Sequence, residues 1–422
     1  MSDLNRSRAP RILMICNFYY PHLGGNEGQC RLLSEALAQR GFAVTVLTLK
    51  HSRRLATRES INGVNVHRIG LPGWLNYETI PSLMRFSKKP TINTAANSGG
   101  AFKMGLGQRL KRLIYLTYFE VFSFTCHVAF LLKAVSLLER PNVVHVHQSH
   151  WLSISGFVVS TLVRAPLVVK EAGLGAIAGM NQTILGKILA KSVKKTAHFV
   201  AISSEIQTNL VGIGIEGSNV RRIPNGARPQ PRAWQDQGQM STLFVGNFWQ
   251  GALKGLDILL SAWKEVLIDV PEAKLRIVGE GDYPSYRSIL TPEQLLTVTY
   301  VGPSNEVETE MLNAFCFVLP SRSEGLSNAL IEAAMLGMPV VASAVSGVRD
   351  TIPNLRLGAV VGVERSGQLA AAIRHFYMNR IDAQSSGSNL RARAQDQFVL
   401  ESVAEKYGDL YAELSGRKHA TT

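Results

Sequence analysis

The sequence predicts an α/β protein made of two successive doubly wound parallel sheets, and three observations carry that expectation. Short runs of Val, Ile and Leu recur along the chain, helical patterns separate them, and residues 223–241 interrupt the rhythm midway. Strands covered by helices on both faces read as unbroken apolar runs rather than as alternating ones. With 422 residues, 46% of them hydrophobic and 18% charged, the chain has matter for two or three domains with their own cores. A disordered chain or a small disulfide-stapled scaffold does not have this composition.

In the first half the strand candidates are residues 11–16, 43–49, 142–147, 166–170 and 198–203; in the second they are 242–246, 274–279, 298–302, 316–320 and 339–343. Helical patterns such as Glu27 to Arg40, Gly255 to Leu267 and Asn328 to Leu336 lie between them, which makes two consecutive βαβ arrays. Residues 223–241 (IPNGARPQPRAWQDQGQMS) exchange apolar residues for Pro, Gly, Gln and Asn and read as a linker or hinge. We therefore expect one domain over residues 1–224 and a second over 225–396. A last helix, around Phe398 to Leu414 within residues 397–422, is expected to return to the first domain. Two such domains place a ligand cleft between them, lined by loops at the carboxyl ends of the strands.

Several function classes are disfavoured. Cys16, Cys30, Cys126 and Cys316 are far apart, with no C-x-x-C pair and no histidine at metal-ligand spacing, so neither a disulfide framework nor a zinc site is expected, and the compartment reads as a reducing cytosol. The apolar segment Ile12 to Cys16 is too short for a signal peptide, so the mature chain is expected to start at or near residue 1. Leu113 to Leu132 comes nearest to a membrane span, but Glu120 and His127 lie inside it and Lys133 follows, which suits a buried or interfacial helix better. A nicotinamide dehydrogenase is a weak rival, because no G-x-G-x-x-G follows the first strand; there is no P-loop motif either.

The most informative segment is residues 320–343, PSRSEGLSNALIEAAMLGMPVVAS. A strand delivers a turn containing Glu324 and Gly325. Ser327 or Asn328 can then cap a helix whose apolar positions Leu330, Ile331, Ala334 and Met335 recur at helical spacing. The unpaired N–H groups at such a helix start suit an anion, a pyrophosphate in particular. Glu332 lies about two helical turns beyond Glu324, and a carboxylate is an acceptor matched to vicinal hydroxyls such as those of a ribose.

The E-x7-E run from Glu324 to Glu332 within this segment closely resembles the signature of the retaining glycosyltransferases of the GT-B fold, family 4. Other segments in the same order add to the likeness: PHLGGNE (21–27), RIPNGA (222–227), FVG followed by LKGLDILLSAW (244–263), and LRIVGEG (275–281). The resemblance covers nearly the whole chain. It implies two Rossmann-like domains facing a central cleft, with a nucleoside-diphosphate sugar as donor and no metal or other cofactor. By the same resemblance Glu324 contacts the donor sugar, Glu332 holds the ribose hydroxyls, and Gly325, Leu326 and Ser327 lie beside the sugar and its phosphate. Lys254 neutralises the departing diphosphate, where negative charge develops as the glycosidic bond breaks. Gly24 and Gly25 let the backbone come close to a substrate.

Two departures stand out. Where the family has an arginine after "VG", this chain has Asn247, which donates hydrogen bonds without charge. The family's histidine after the strand PLVVK is also missing; Lys170 and Glu171 stand there instead, with His147 and His150 as other candidates to approach the cleft. These departures motivate a rival reading, a catalytically silent subunit that binds nucleotide sugar or a partner enzyme. Such a subunit would keep its cellular function with Glu324 or Lys254 changed to Ala.

The formal charge is +14, a statement about partners rather than fold. Residues 79–119 hold Arg85, Lys88, Lys89, Lys103, Arg109, Lys111 and Arg112 and no acid, and Lys187, Lys191, Lys194 and Lys195 fall on one helical stripe beside Ile184, Leu185, Ile188 and Leu189. Both clusters lie in the half that the resemblance assigns to the acceptor. The expectation is a cytoplasmic enzyme, peripheral at the inner face of the cell membrane, whose basic residues each contribute about 1 kcal/mol at an anionic surface. Nucleic acid is disfavoured, since no binding motif accompanies the charge. The sequence thus points to a hexosyltransferase that acts with retention on a glycan or lipid-linked acceptor in polysaccharide or glycolipid biosynthesis.

Overall fold

The computed structural model of the chain describes residues 10–22, 24–72, 75, 106–137, 140–248 and 251–416. Two mixed α/β layers are present. The first sheet has eight strands: β1 (Arg11–Ile15), β2 (Ala43–Leu49), β3 (Arg58–Ile61), β4 (Val64–Ile69), β5 (Val143–Val146), β6 (Leu167–Glu171), β7 (His198–Ala201) and β8 (Val220–Arg222), in the order β3-β4-β2-β1-β5-β6-β7-β8. The pairs from β4 through β6 run parallel, and β3 alone is seen to pair antiparallel, with β4. The second sheet is parallel throughout and has six strands: β9 (Ser241–Val245), β10 (Lys274–Val278), β11 (Val298–Gly302), β12 (Cys316–Leu319), β13 (Val340–Ser343) and β14 (Ala359–Val361), in the order β11-β10-β9-β12-β13-β14. That order reverses direction between β9 and β12, and crevices at the carboxyl ends of strands form at such a switch point.

All ten strands expected from apolar runs are present, within a residue or two at their ends. Four more are not in that set. β3 and β4 form a hairpin whose turn, Asn62 and Gly63, has φ of 48° and 81°, the pairing of positive dihedrals that a tight hairpin requires. The Asn-Gly dipeptide was the available signal, but the edge strand RESI is too polar to stand out by its apolar content. β8 and β14 are three residues each, too short to show a period.

Helices α1 (Gly25–Gln39), α2 (Leu106–Val135), α3 (Leu152–Val163), α4 (Ile184–Thr196) and α5 (Ser204–Gly212) accompany the first sheet along the chain. Helices α6 (Leu256–Asp269), α7 (Asn328–Leu336), α8 (Ser366–Met378) and α9 (Arg380–Gln397) accompany the second, with shorter turns between them, and α10 (Leu400–Ser415) follows. By its internal contacts the chain divides into one compact unit of residues 1–170, 175–199 and 410–422 and another of residues 171–174 and 200–409. In the first unit β1 is buried from Ile12 onward, and the hydroxyl of Tyr411 lies 2.6 Å from Nδ1 of the buried His145. The four cysteines are buried and unpaired. Arg85, Lys88, Lys89 and Lys103 lie outside the described residues, while Arg109, Lys111 and Arg112 fall on the first turns of α2.

In the second unit α6 turns Leu256, Leu259, Leu260, Trp263 and Val266 inward at helical spacing. Trp263 is wholly buried, and its indole N–H donates to the Thr297 hydroxyl at 2.9 Å. Truncation there removes a large packed side chain and leaves a void, which costs about 3–5 kcal/mol. Trp263→Ala is therefore expected to lower the thermal transition by several degrees, read by circular dichroism; an unchanged transition would contradict the packing described.

Candidate functional site

The loops at the carboxyl ends of β9, β10 and β12 gather the candidate site of the second unit. Gly255 starts α6 in the left-handed region at φ of 68°, and a Cβ there would lie 1.9 Å from the carbonyl oxygen of Pro320. Only glycine lets the turn before α6 press against the turn after β12. The backbone N–H of Arg322 donates to the Leu253 carbonyl at 2.8 Å, and its guanidinium holds both oxygens of Asp257 at 2.8 and 2.7 Å and Glu364 at 2.7 Å. Burial, the largest single influence, pushes the Asp257 carboxyl up, but the Arg322 hydrogen bond and charge together with the backbone N–H groups of Asp257 and Ile258 outweigh it and hold the carboxyl below its usual range; the Arg322 guanidinium is raised.

This stitching brings Lys254 to Glu324. The ammonium lies 2.7 Å from Glu324 Oε1, which also accepts from the Ser321 hydroxyl at 2.8 Å. The sequence pattern gave these two residues separate duties; here each meets the other's charge. The pair is partly exposed, so its worth in stability is modest, and its significance lies in placing a cation and a carboxylate together at the start of α7. Ser327 caps that helix, its hydroxyl accepting from Leu330 N at 3.4 Å, and Gly337 ends it at φ of 82°. Leu326 and Ser327 are buried, and a Cβ on Gly325 would stand 2.1 Å from the carbonyl oxygen of Ala172, so glycine is required there too.

Glu332 sits in the middle of α7 and is half-buried. Burial pushes its carboxyl up to about 7. Asn247 is exposed, and its side-chain oxygen accepts from the backbone N–H of Glu280 at 2.9 Å. Instead of presenting a charge, it ties the loop after β9 to the loop after β10, where Gly279 at φ of 133° packs against the Gly246 carbonyl.

His147 lies in the core at the end of β5, its Nε2 3.2 Å from Met14 Sδ and its ring 4.3 Å from that of His145. Burial holds it well below its usual range, with His145 and Lys170 adding to the shift. Its ring is therefore packed in the core as it stands, between Met14 and His145. His150 is half-buried beside Gln148 and Asn17, its imidazole lowered to about 4 by burial. Glu171 ends β6 and is buried, while Lys170, the preceding residue, is lowered to about 8 by burial; successive strand residues face opposite sides. Gly24 precedes α1 and Gly25 opens it, and a Cβ on Gly24 would clash with the movable end of Glu27 and touch His22 Nδ1 at 3.6 Å.

Asn225 had no role assigned from the sequence, although it is the asparagine of the IPNGA segment. Its amide donates to the Leu326 carbonyl at 3.2 Å and to Asn328 Oδ1 at 2.9 Å, fixing the loop that leads into α7. Asp257, Arg322 and Ser321 were likewise visible only as parts of motifs. Among the described residues no three His, Cys, Asp or Glu side chains gather closely enough to hold a metal ion.

Two family profiles match the chain in succession, "Glycosyl transferase 4-like domain" over residues 24–226 and "Glycosyl transferases group 1" over residues 239–379. The chain belongs to the group 1 glycosyltransferases. Its site segments from Asn247 to Glu332 fall within the second match. A human phosphatidylinositol N-acetylglucosaminyltransferase subunit is 22% identical over 83% of this chain, which spans 65% of that protein. The D-inositol 3-phosphate glycosyltransferase of Segniliparus rotundus is 26% identical over 80% of this chain and 73% of its own length. Among solved structures, sucrose-phosphate synthase of Thermosynechococcus elongatus aligns over 96% of this chain and 99% of its own at a TM-score of 0.70 and 22% identity. Anabaena HepE, solved with UDP and glucose, aligns over 96% and 99% at a TM-score of 0.65 and 15% identity. The fold of this glycosyltransferase is therefore GT-B, two Rossmann-like domains.

Two outcomes are expected of the site. A carboxyl whose native value of about 7 exceeds its ordinary 4.5 binds more protons in the native than in the unfolded chain between those pH values. The native state then loses stability as the pH rises through that window. Glu332→Gln is expected to flatten this fall in urea titrations compared at pH values below and above it; an identical slope in the variant would refute the assignment. Gly255→Ala forces both a left-handed alanine, about 1 kcal/mol or more, and a clash with the Pro320 carbonyl. It is expected to lower the thermal transition, and a transition equal to wild type would show that the turn yields freely.

Proposed function

We propose that this glycosyltransferase moves a hexose-type sugar from a nucleoside diphosphate to a hydroxyl of a glycan or lipid-linked acceptor, with retention of configuration, in cell-surface polysaccharide or glycolipid biosynthesis. The observation that carries the reading is the Lys254–Glu324 pair at the capped start of α7. The acceptor oxygen bonds to the anomeric carbon as the bond from that carbon to the diphosphate breaks on the same face. The leaving diphosphate takes the acceptor's proton, so no separate base is required. Negative charge grows on the diphosphate as it departs. Lys254 and the N–H groups at the start of α7 stabilise that charge, which is why the reaction is proposed to need no metal.

On this reading Glu324 releases Lys254 to the diphosphate and turns its own oxygens to the donor's hydroxyls. Ser327, Leu326 and Gly325 flank the sugar and phosphate, Glu332 accepts from the ribose hydroxyls, and Asn247 holds the loop beside them. Gly24 and Gly25, at the start of α1, are proposed to meet donor or acceptor through the backbone. The names of the relatives support a sugar-transfer role: two act on inositol-containing acceptors by name, and a glycogen synthase of Mycobacterium tuberculosis is 26% identical over 95% of this chain. UDP sugars are the donors to try first, since Anabaena HepE was solved with UDP-glucose.

A panel of UDP, GDP and ADP sugars tests the donor site by thermal shift. A bound ligand at a hundredfold excess over its Kd stabilises by about 2.7 kcal/mol, so at least one of them is expected to raise the transition; no response to any would defeat the reading. Lys254→Ala and Glu324→Gln are each expected to reduce sugar release by about a hundredfold or more, with turnover by the wild type surviving a chelator. Unchanged turnover in both variants would move the chemistry elsewhere.

A further inference from the structure

The charged clusters of the first unit have a companion that the charge count alone did not reveal. Helix α2 is buried on one side by Phe122, Cys126, Phe130 and Ala134, with His127 Nδ1 2.7 Å from the Ser155 hydroxyl. Its opposite side is apolar as well: Val121, Phe124, Val128, Leu132 and Val135 follow one another at helical spacing and are all exposed, Phe124 by 61% and Leu132 by 65%. A surface helix ordinarily turns polar residues outward. Here the outward line of apolar side chains runs about 21 Å along the helix.

Beside it lies α4. The carboxylate of Glu120 on α2 accepts from the backbone N–H of Ile184 at 2.8 Å, which fixes the start of α4 against the middle of α2. Helix α4 buries Gly186, Ala190 and Val193 and exposes Ile184 and Ile188 together with Lys187, Lys191 and Lys195. It contains no acid, and the one acid of α2 is Glu120 itself, already engaged with α4. Among the described residues α2 is also the one helix long and apolar enough to cross a membrane by length and composition, but its inner face is committed to the protein, so it is placed to lie flat.

We infer that the outer faces of α2 and α4 together form a docking surface for an anionic lipid bilayer, with the apolar line of α2 and the isoleucines of α4 entering the headgroup boundary and the lysines of α4 meeting lipid phosphates. A protein partner is the poorer fit, because the cores of protein interfaces are depleted of lysine, whereas an interfacial helix pairs apolar residues with a lysine-rich flank. The inference does not rest on the donor chemistry: vesicle binding needs no turnover, and the nucleotide-sugar response is measured without lipid, so either can fail alone.

The test is sedimentation of the full chain with vesicles of phosphatidylcholine, with and without phosphatidylglycerol, at low and high salt. The wild type is expected to pellet with the mixed vesicles and to release as salt screens the lysines. The exposed triple variant Phe124→Gln, Val128→Gln, Leu132→Gln is expected to bind at least about tenfold more weakly. The variant Lys187→Glu, Lys191→Glu, Lys195→Glu is expected to lose the preference for phosphatidylglycerol. Both alter exposed side chains only, and circular dichroism verifies that they fold. Wild-type chain that stays in solution with every vesicle, that self-associates through this face while ignoring lipid, or that binds no better than the triple variant would overturn the inference.

Discussion

The contact between Gly255 and the Pro320 carbonyl is the constraint on which the site of this glycosyltransferase depends. A side chain at that position would hold the turn before α6 away from the turn after β12, and the partners on either side of it would separate. With glycine in place the Arg322 guanidinium can grip Asp257 through two parallel hydrogen bonds, a geometry in which arginine fixes direction as well as distance. Lys254 and Glu324, one from each turn, then have no choice but to meet. The reversal of strand order between β9 and β12 supplies the opening at which they meet.

The ionisable groups of this unit fall into two environments, and the difference is set by water. Lys254, Glu324, Arg322 and Asp257 are partly solvated, and each meets an opposite charge. Glu332, a turn into α7, is half-buried, and burial raises its carboxyl towards neutrality. The buried histidines of the first unit belong to neither environment: His145 and His147 are kept neutral by their burial and serve the packing of β5.

The positive charge divides in the same manner. One lysine, Lys254, is paired with Glu324, while the lysines of α4 stand on a surface next to an apolar line of α2 that sequence alone left as a buried or interfacial segment. A helix apolar on every side can be recognised from composition, but which side is covered depends on what packs against it. The packing of α3 on α2, with the Ser155 hydroxyl 2.7 Å from His127 Nδ1, decides that question here.

The sequence by itself determined the ten apolar strands, the helices between them and the cap at Ser327, because each of these rests on local spacing: a period of two or of 3.6 residues, a hydroxyl before a helix, a glycine after one; the GT-B fold it implied only through resemblance to a family. The edge hairpin at Asn62 and Gly63 carried a local signal that its polar strand obscured. What only the tertiary structure decided are relations between residues far apart in the chain. Asn225 reaches Asn328, Arg322 reaches Asp257 and Glu364, Asn247 joins two loops rather than facing a ligand as a charge, and His147 turns into the core. No period encodes those meetings, since they follow from which loops the strand order brings to the same edge and from which side chains the packing leaves in water.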